Sequence, residues 1–503
     1  MSTLQPLWGI GFPRPAIAAG GLPLITAPLP DQFVVPLSQH IGFAATALVT
    51  EGEQILKGQP VGAISDNGPS AHVHAPTSGT VSKISVQAVT GREPALCIQI
   101  RADGNDQAWP GYTPHKDPLN LSPAKLREAV NEAGIVGLGG AMFPTGIKLN
   151  PEQGISTLIL NGAECEPRIS CDDALMQTSA EAILLGAQLM LRILEADRCI
   201  IAIKAHTPAV EPLRQATQEL NDDRFSLVFV PAVYPAGGER QLIELLTGIE
   251  VPAGGLPWDI GVICQNVATA AAITTFLTEG EPLISRIITV SGGGINQPAN
   301  IRARIGTPIS KLIECAGGYT TTARRLIMGG PMMGIALPDD ALPVTKGSNS
   351  FYIAAATELA STTEMPCIRC SDCMTTCPVH LTPQLLLQAK RVNDYTQLEL
   401  LGLPDCIECG CCDYVCPSHI PLTREFKTAK QVLQKISFEK SRASHAEQRF
   451  KVRNERLRQE VEQRDQQLEQ QIEALNNPVS SAHDALEELL QRTSTGKHKD
   501  NPP

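Results

Sequence analysis

Through the middle of the chain, unbroken apolar runs alternate with amphipathic stretches. Thr157-Leu158-Ile159-Leu160, Cys199-Ile200-Ile201-Ala202-Ile203 and Leu227-Val228-Phe229-Val230 have no polar alternation, which suits strands buried on both faces of a parallel sheet. Between them, 180–195 and 210–220 repeat apolar residues near every 3.6 positions and read as helices. Ser122 and Pro123 open another helix, a side-chain cap followed by a proline at the first helical position. This alternation predicts a doubly wound α/β domain over 121–282.

On both sides the pattern shortens. Residues 31–102 read as short strands and turns. Residues 283–357 return to short strands and glycine turns, with a helix near Ile309–Cys315. From 358 to 435 no strand pattern occurs, and Leu381–Val392 is strongly helical. Residues 1–30 are rich in proline and glycine and are expected to wrap over another part of the fold. Residues 103–120 read as a polar linker. After about 436 the chain is charged and poor in apolar residues; Leu457, Val461, Leu468 and Leu475 form a thin heptad seam. A solvated helix to about 476, able to contact a partner, and then a disordered end are expected there.

Composition narrows the function. At 503 residues several cores are needed, because single cores stop growing well below that length. The net charge of −11 argues against nucleic acid as a partner. No run of about 18 apolar residues is present to span a bilayer. Fifteen cysteines, an odd number without a secretory segment, argue against a disulfide framework and for a reducing compartment.

The cysteines themselves carry the strongest chemical signal. Cys367-Ile368-Arg369-Cys370-Ser371-Asp372-Cys373-Met374-Thr375-Thr376-Cys377-Pro378 and Cys406-Ile407-Glu408-Cys409-Gly410-Cys411-Cys412-Asp413-Tyr414-Val415-Cys416-Pro417 both fit C-x2-C-x2-C-x3-C-P. That spacing wraps thiolates around cubane iron–sulfur clusters, with the fourth cysteine of each run serving the other cluster. The expected ligand sets for the two 4Fe–4S clusters are Cys367, Cys370, Cys373 and Cys416, and Cys406, Cys409, Cys412 and Cys377. Cys411 breaks no spacing and is read as a non-ligand. Paired zinc sites would take four ligands each without such an exchange.

A second constellation lies in the α/β domain. Gly134-Ile135-Val136-Gly137-Leu138-Gly139-Gly140-Ala141-Met142-Phe143-Pro144-Thr145-Gly146-Ile147-Lys148 is a glycine-dense loop whose amides could close on a phosphate, with Lys148 adding charge. It matches neither the dinucleotide fingerprint nor a Walker loop. Asn161-Gly162-Ala163-Glu164-Cys165-Glu166-Pro167, Tyr234-Pro235-Ala236-Gly237-Gly238-Glu239-Arg240 and Gln265-Asn266-Val267-Ala268-Thr269 fall where strands give way to helices. Doubly wound sheets bind ligands at such ends.

These residues carry a family resemblance. Gly139–Lys148 and Asn161–Pro167 resemble the FMN- and NADH-binding subunit of respiratory complex I. The phrases Glu51–Val61 and Val73–Val81 resemble a barrel-sandwich hybrid of the lipoyl type, but no carrier lysine lies between Lys57 and Lys83. A structural or docking barrel is therefore expected. The whole order resembles the C subunit of the Rnf (Rsx) ion-translocating electron transport complex, over roughly residues 15–435. The resemblance implies a multidomain α/β chain: barrel-sandwich hybrid, flavin domain, β-grasp (SLBB-like) domain, and an α-helical ferredoxin-like domain with two cubane clusters.

It also implies roles. Gly139, Gly140, Lys148 and Asn161 would hold non-covalent FMN, with Asn266 and Thr269 covering its phosphate. Glu166 and Glu239 would bind the ribose or nicotinamide side of NAD(H), and Tyr234 would lie near the isoalloxazine. Val136 and Leu138 stand where the complex I pattern has arginines, and Ala163 and Gly238 where it has acids, so the loop is less cationic. The implied function is peripheral electron transfer at the cytoplasmic face of the bacterial inner membrane, within an NADH:ferredoxin-type ion-translocating oxidoreductase. Its partners would be membrane-embedded and flavin or iron–sulfur subunits, NADH, and ferredoxin as a candidate. Two other readings share these residues: a soluble NADH-dependent cobalamin reductase, and a relay and docking module that does not bind NADH.

Overall fold

The computed structural model describes residues 6–12, 21–359, 363–476 and 478–494, with the side chains of 478–481 outside that set. The chain forms two units, 1–427 and 428–503.

The first unit begins with two small antiparallel sheets. Gln32–Pro36, Arg92–Ala102, Gly79–Val89 and Gln54–Ile55 form one; Thr46–Ala47, Pro60–Ala63 and Val73–His74 form the other. Alternate residues of both sheets face inward, so Phe33, Val35, Ile55, Val61, Val81, Ile98 and Ile100 enclose a shared core.

Next comes a four-stranded parallel sheet in the order Phe225–Val230, Arg198–Lys204, Thr157–Gly162, Val262–Asn266. The central strand, Thr157–Gly162, has a helix-linked neighbour on each side. This is the strand-order reversal at which α/β sheets open a crevice. The helices Pro123–Glu132, Ala180–Leu194 and Val267–Glu279 cover the sheet, and the apolar side of Ala180–Leu194 lies in the largest core. Among the described residues no single helix is long and apolar enough to cross a membrane.

A six-stranded mixed sheet follows, ordered Leu24–Thr26, Ala299–Arg304, Ser285–Ser291, Ser350–Ala355, Ala323–Met328, Ile335–Ala336, with the helix Ile309–Cys315 packed on it. Its outer strand, Leu24–Thr26, comes from the N-terminal segment, which thus contributes backbone pairing as well as cover. Residues 8–12 form a strap. Gly9 and Ile10 exchange hydrogen bonds with Thr376 and Tyr234 at 2.8–3.0 Å. Gly9 sits at φ +88°, and a Cβ there would meet the Tyr234 carbonyl oxygen at 2.5 Å, so the strap can approach this closely only with glycine.

The cysteine region is built of short helices: Asp372–Thr375, Pro383–Arg391, Tyr395–Leu400 and Cys411–Tyr414. Backbone turns repeat between the two runs. Arg369, Ser371 and His380 have positive φ, as do Glu408, Gly410 and His419 at the matching positions. The helix Leu422–Asn476 follows.

At the C-terminus one expectation is corrected. Instead of a disordered end, residues 478–494 form a second helix, Pro478–Ser494. Leu486, Leu489 and Leu490 recur at helical spacing, and Arg492 pairs with Glu488 one turn away at 2.8 Å. Residues 495–503, and residues 1–5 and 13–20 of the N-terminal segment, lie outside the described residues.

Candidate functional site: a strand-end crevice beside two cysteine cavities

The four stretches singled out in the α/β domain meet at the carboxyl ends of its strands. Lys148 Nζ donates to Glu239 Oε1 at 2.7 Å and to the Cys264 carbonyl at 2.6 Å. Asn161 Nδ2 donates to the Gly237 carbonyl at 2.9 Å, and its Oδ1 accepts from the Ala163 amide at 3.0 Å. Asn266 caps the helix Val267–Glu279, accepting from Ala268 N, while its Nδ2 donates to Asp172 Oδ2 at 2.6 Å. Thr269 is fully buried, and its hydroxyl oxygen accepts from Leu138 N at 3.1 Å. Thr269 therefore ties the glycine loop to the helix; it does not reach into open space.

The loop's glycines have distinct surroundings. A Cβ on Gly139 would lie 3.2 Å from Asn266 Cβ, while Gly140, at φ +107°, has nothing within 4 Å. Gly140 thus leaves its backbone open to solvent on the side where a side chain would stand. At the same end of the domain, Gln265 Nε2 and Thr145 Oγ1 are buried without a partner. Buried polar groups are rarely left so. A glycine cradle, a helix N-terminus, a lysine and two orphaned polar atoms fit a phosphate-bearing, hydrogen-bonding cofactor such as FMN.

Tyr234 and Glu166 face a different neighbour. Tyr234 is buried, and its hydroxyl donates to the Cys409 carbonyl at 2.6 Å. Glu166 Oε1 accepts from the amides of Met332 and Met333 at 2.7 and 3.2 Å. Burial raises the Glu166 carboxyl above the usual range, offset by those two amides and by Tyr234. Ile10, Tyr234, Cys409 and Cys411 share one apolar cluster, with Met332 and Phe12 packed on it. The α/β domain is therefore in direct contact with the second cysteine run.

The two runs surround two cavities. Cys367, Cys370, Cys373 and Cys416 line one, with Ile368, Leu387 and Ile420. Cys377, Cys406, Cys409 and Cys412 line the other, with Leu386, Phe426 and also Cys411. Each cavity gathers three cysteines of one run and the last cysteine of the other. Four soft sulfur donors in an apolar enclosure fit an iron–sulfur cubane. The first cavity lies nearer solvent, since Cys367 and Cys370 are exposed while Cys377 and Cys409 are buried. Cys411 is buried, and its Sγ lies 4.0 Å from the Tyr234 carbonyl.

Several supporting residues escaped sequence reasoning. Lys346, fully buried, donates through Nζ to the carbonyls of His72 and Gly134. Burial lowers its pKa to about 7. Arg286, also buried, donates to the carbonyls of Lys346 and Leu138. Two buried basic side chains thus hold the glycine loop from behind by donating to its carbonyls, where Val136 and Leu138 supply no polar group. Glu164 accepts from Cys171 Sγ and the Asp172 amide at 3.3 Å. Burial, and then the charge of Asp172, push Glu164 up to about 8. No local motif marks these residues: Lys346 and Gly134 are 212 positions apart.

Comparison with known proteins adds the lineage. Residues 9–105 match the RnfC barrel sandwich hybrid domain, 130–275 the Nuo51 FMN-binding domain and 287–336 the SLBB domain. A Rhodobacter capsulatus protein, described as the C subunit of an ion-translocating oxidoreductase complex, is 43% identical over 411 residues, covering 80% of this chain and 78% of that one. The chain belongs to the RnfC family.

Other RnfC relatives agree. Those of Erwinia tasmaniensis and Pseudomonas aeruginosa are each 43% identical and match 90% of this chain. The chain spans little more than half of their length, 56% and 58% respectively. An NAD+-reducing [NiFe]-hydrogenase in its H2-reduced state aligns at TM-score 0.45 and 20% identity, over 62% of this chain and 63% of the other. The strand-end residues fall within 130–275, the stretch that matches the Nuo51 FMN-binding domain.

Proposed function

We propose that this chain is a peripheral electron-transfer subunit of a membrane-bound, ion-translocating oxidoreductase, working between NAD(H) and partner subunits through non-covalent FMN and two 4Fe–4S clusters. The observation that supports this best is the pair of cysteine cavities, one of them backed onto the FMN-binding domain by Tyr234 and Cys409. When bound, FMN exchanges electrons in pairs with a nicotinamide and singly with iron–sulfur centres.

The chain's own residues then divide the work. Cys367, Cys370, Cys373 and Cys416 hold one cluster, and Cys377, Cys406, Cys409 and Cys412 hold the other, leaving Cys411 unligated. Gly139, Gly140, Lys148 and Asn161 would receive FMN, and Asn266, which caps the helix Val267–Glu279, would lie on its phosphate side. Thr269 keeps the loop in register with that helix. Glu166 and Glu239 border the nicotinamide nucleotide. Tyr234, hydrogen-bonded to Cys409, would lie near the isoalloxazine. The barrel carries no carrier lysine and serves as a docking or structural domain. The partners are membrane-embedded and flavin or iron–sulfur subunits of the same complex, at the cytoplasmic face of the inner membrane.

A second reading has specific support. Val136, Leu138, Ala163 and Gly238 bring no charge to the crevice, and Tyr234 and Glu166 already hydrogen-bond within the protein. A relay that takes electrons from ferredoxin without NADH would tolerate both. Oxygen-free protein in its complex, loaded with FMN and mixed with NADH in a stopped-flow cell, separates the two. Bleaching of the flavin band supports the first reading, and its absence leaves the relay. Iron analysis of the same material is expected to give about eight irons per chain; zinc or no metal would remove both readings.

A further inference from the structure

From Ser437 to Asn476 the helix Leu422–Asn476 is exposed at every side chain except Asn454, which is half-buried. Yet apolar residues recur along it in heptad phase. Phe450 and Leu457 occupy d positions, and Val461, Leu468 and Leu475 occupy a positions. Asn454 (a), Arg464 (d) and Gln471 (d) complete the seam. Helices in proteins gain most of their stability from packing an amphipathic face, so this stripe calls for a partner.

Charge along the same helix changes sign near the middle of the stripe. Before it, within the stripe, Lys451, Arg453, Arg456 and Arg458 outnumber Glu455. Beyond it, Glu460, Glu462, Asp465, Glu469 and Glu473 face only Arg464. We propose that this stripe is a self-association surface on which a second copy of the chain pairs antiparallel, basic half against acidic half.

The register follows from the heptad. Antiparallel pairing of a against d sets Phe450 opposite Leu475, Asn454 opposite Gln471, Leu457 opposite Leu468 and Val461 opposite Arg464. Apolar residues meet apolar ones, and the amide side chains of Asn454 and Gln471 meet each other. Arg464 lays its aliphatic stem on Val461, and Arg458 flanks Asp465 of the other copy. Parallel pairing would instead place Arg464 against itself inside the seam and the basic halves side by side, both destabilising. Orientation is thus decided by charge, and association by the apolar layers.

Analytical ultracentrifugation of the whole chain tests this directly. A concentration-dependent dimer is expected, weakened by raised salt and lost in Leu457→Glu and in Leu468→Glu. Both substitutions lie on the exposed helix, away from the cysteine cavities, so iron content should stay unchanged. For orientation, Leu457→Cys combined with Leu468→Cys should form a disulfide-linked dimer above the wild-type background, and Leu457→Cys alone should not. In the antiparallel register the two copies of position 457 stand ~16 Å apart along the axis, beyond disulfide reach. A chain that stays monomeric at all concentrations overturns the proposal. So does a cross-link through Leu457→Cys alone, which would mean parallel pairing, or retention of the dimer in both glutamate variants.

Discussion

The hydroxyl of Tyr234 donates to the carbonyl oxygen of Cys409 at 2.6 Å, joining residues 175 positions apart. Around this bond the strap residue Ile10 pairs with the Tyr234 backbone, and Phe12 packs on the rings of Tyr234 and Tyr414. The contact is buried among apolar side chains, so the bond is held in a low-dielectric setting where its loss is felt.

Tyr234→Phe leaves the Cys409 carbonyl buried without a donor, at a cost of ~1–3 kcal/mol. The expected result is altered paramagnetic resonance of the cluster proposed for Cys406, Cys409, Cys412 and Cys377, and faster loss of its iron to a chelator. The other cluster should be unaffected. Equal effects on both would show that Tyr234 supports the whole helical region and not this loop.

Cys377→Ser is expected to damage the cluster of the second run, because Cys377 lines the cavity with Cys406, Cys409 and Cys412. Cys416→Ser should damage the cluster of the first run, because Cys416 lines the cavity with Cys367, Cys370 and Cys373. Resonance spectra of the two variants check the exchange. Damage confined to each residue's own run would refute it.

Lys148 and Glu239 form an ion pair at 2.7 Å, with side chains partly exposed. Lys148→Met should weaken FMN binding roughly tenfold, about 1.4 kcal/mol, by removing the cation nearest the crevice. Glu239→Gln should instead leave FMN affinity equal or tighter, because the ammonium is then free for the phosphate. Fluorescence titration of the apoprotein with FMN measures both. A weaker FMN complex in Glu239→Gln would mean that the ion pair itself shapes the crevice.

Glu164 holds its proton to about pH 8 because burial and Asp172 oppose its ionisation. In the unfolded chain it ionises near pH 4.5. Between those values the folded state binds the extra proton, so stability falls as pH rises. Glu164→Gln removes this dependence. Its melting temperature should decline less than that of the parent chain between about pH 5 and 8, as followed by calorimetry. An identical decline would place the buried proton elsewhere.

Much of this is legible in the linear chain because the causes are local. The runs at Leu158, Ile200 and Val228 form parallel strands because unbroken apolar residues must be covered on both faces. The spacing of cysteines sets which sulfurs one loop can present. Other features are not legible. The helix Pro478–Ser494 is hidden because charge and low apolar content dominate its surroundings, while helical spacing of three leucines is a weak signal. The pattern around Thr269 points to a phosphate, but its hydroxyl oxygen accepts from Leu138 N.

Residue order alone decided what can be built from neighbours: strands, helices, caps and two sets of thiols at cubane spacing. Folding decided which distant groups share one space: Lys346 beneath Gly134, Arg286 beneath Leu138, and Tyr234 against Cys409. The reason is physical. Local structure depends on backbone geometry and apolar period, which the chain carries from residue to residue. Buried polar partnerships depend on which donors and acceptors lose water together, and that is settled only when the domains close on one another.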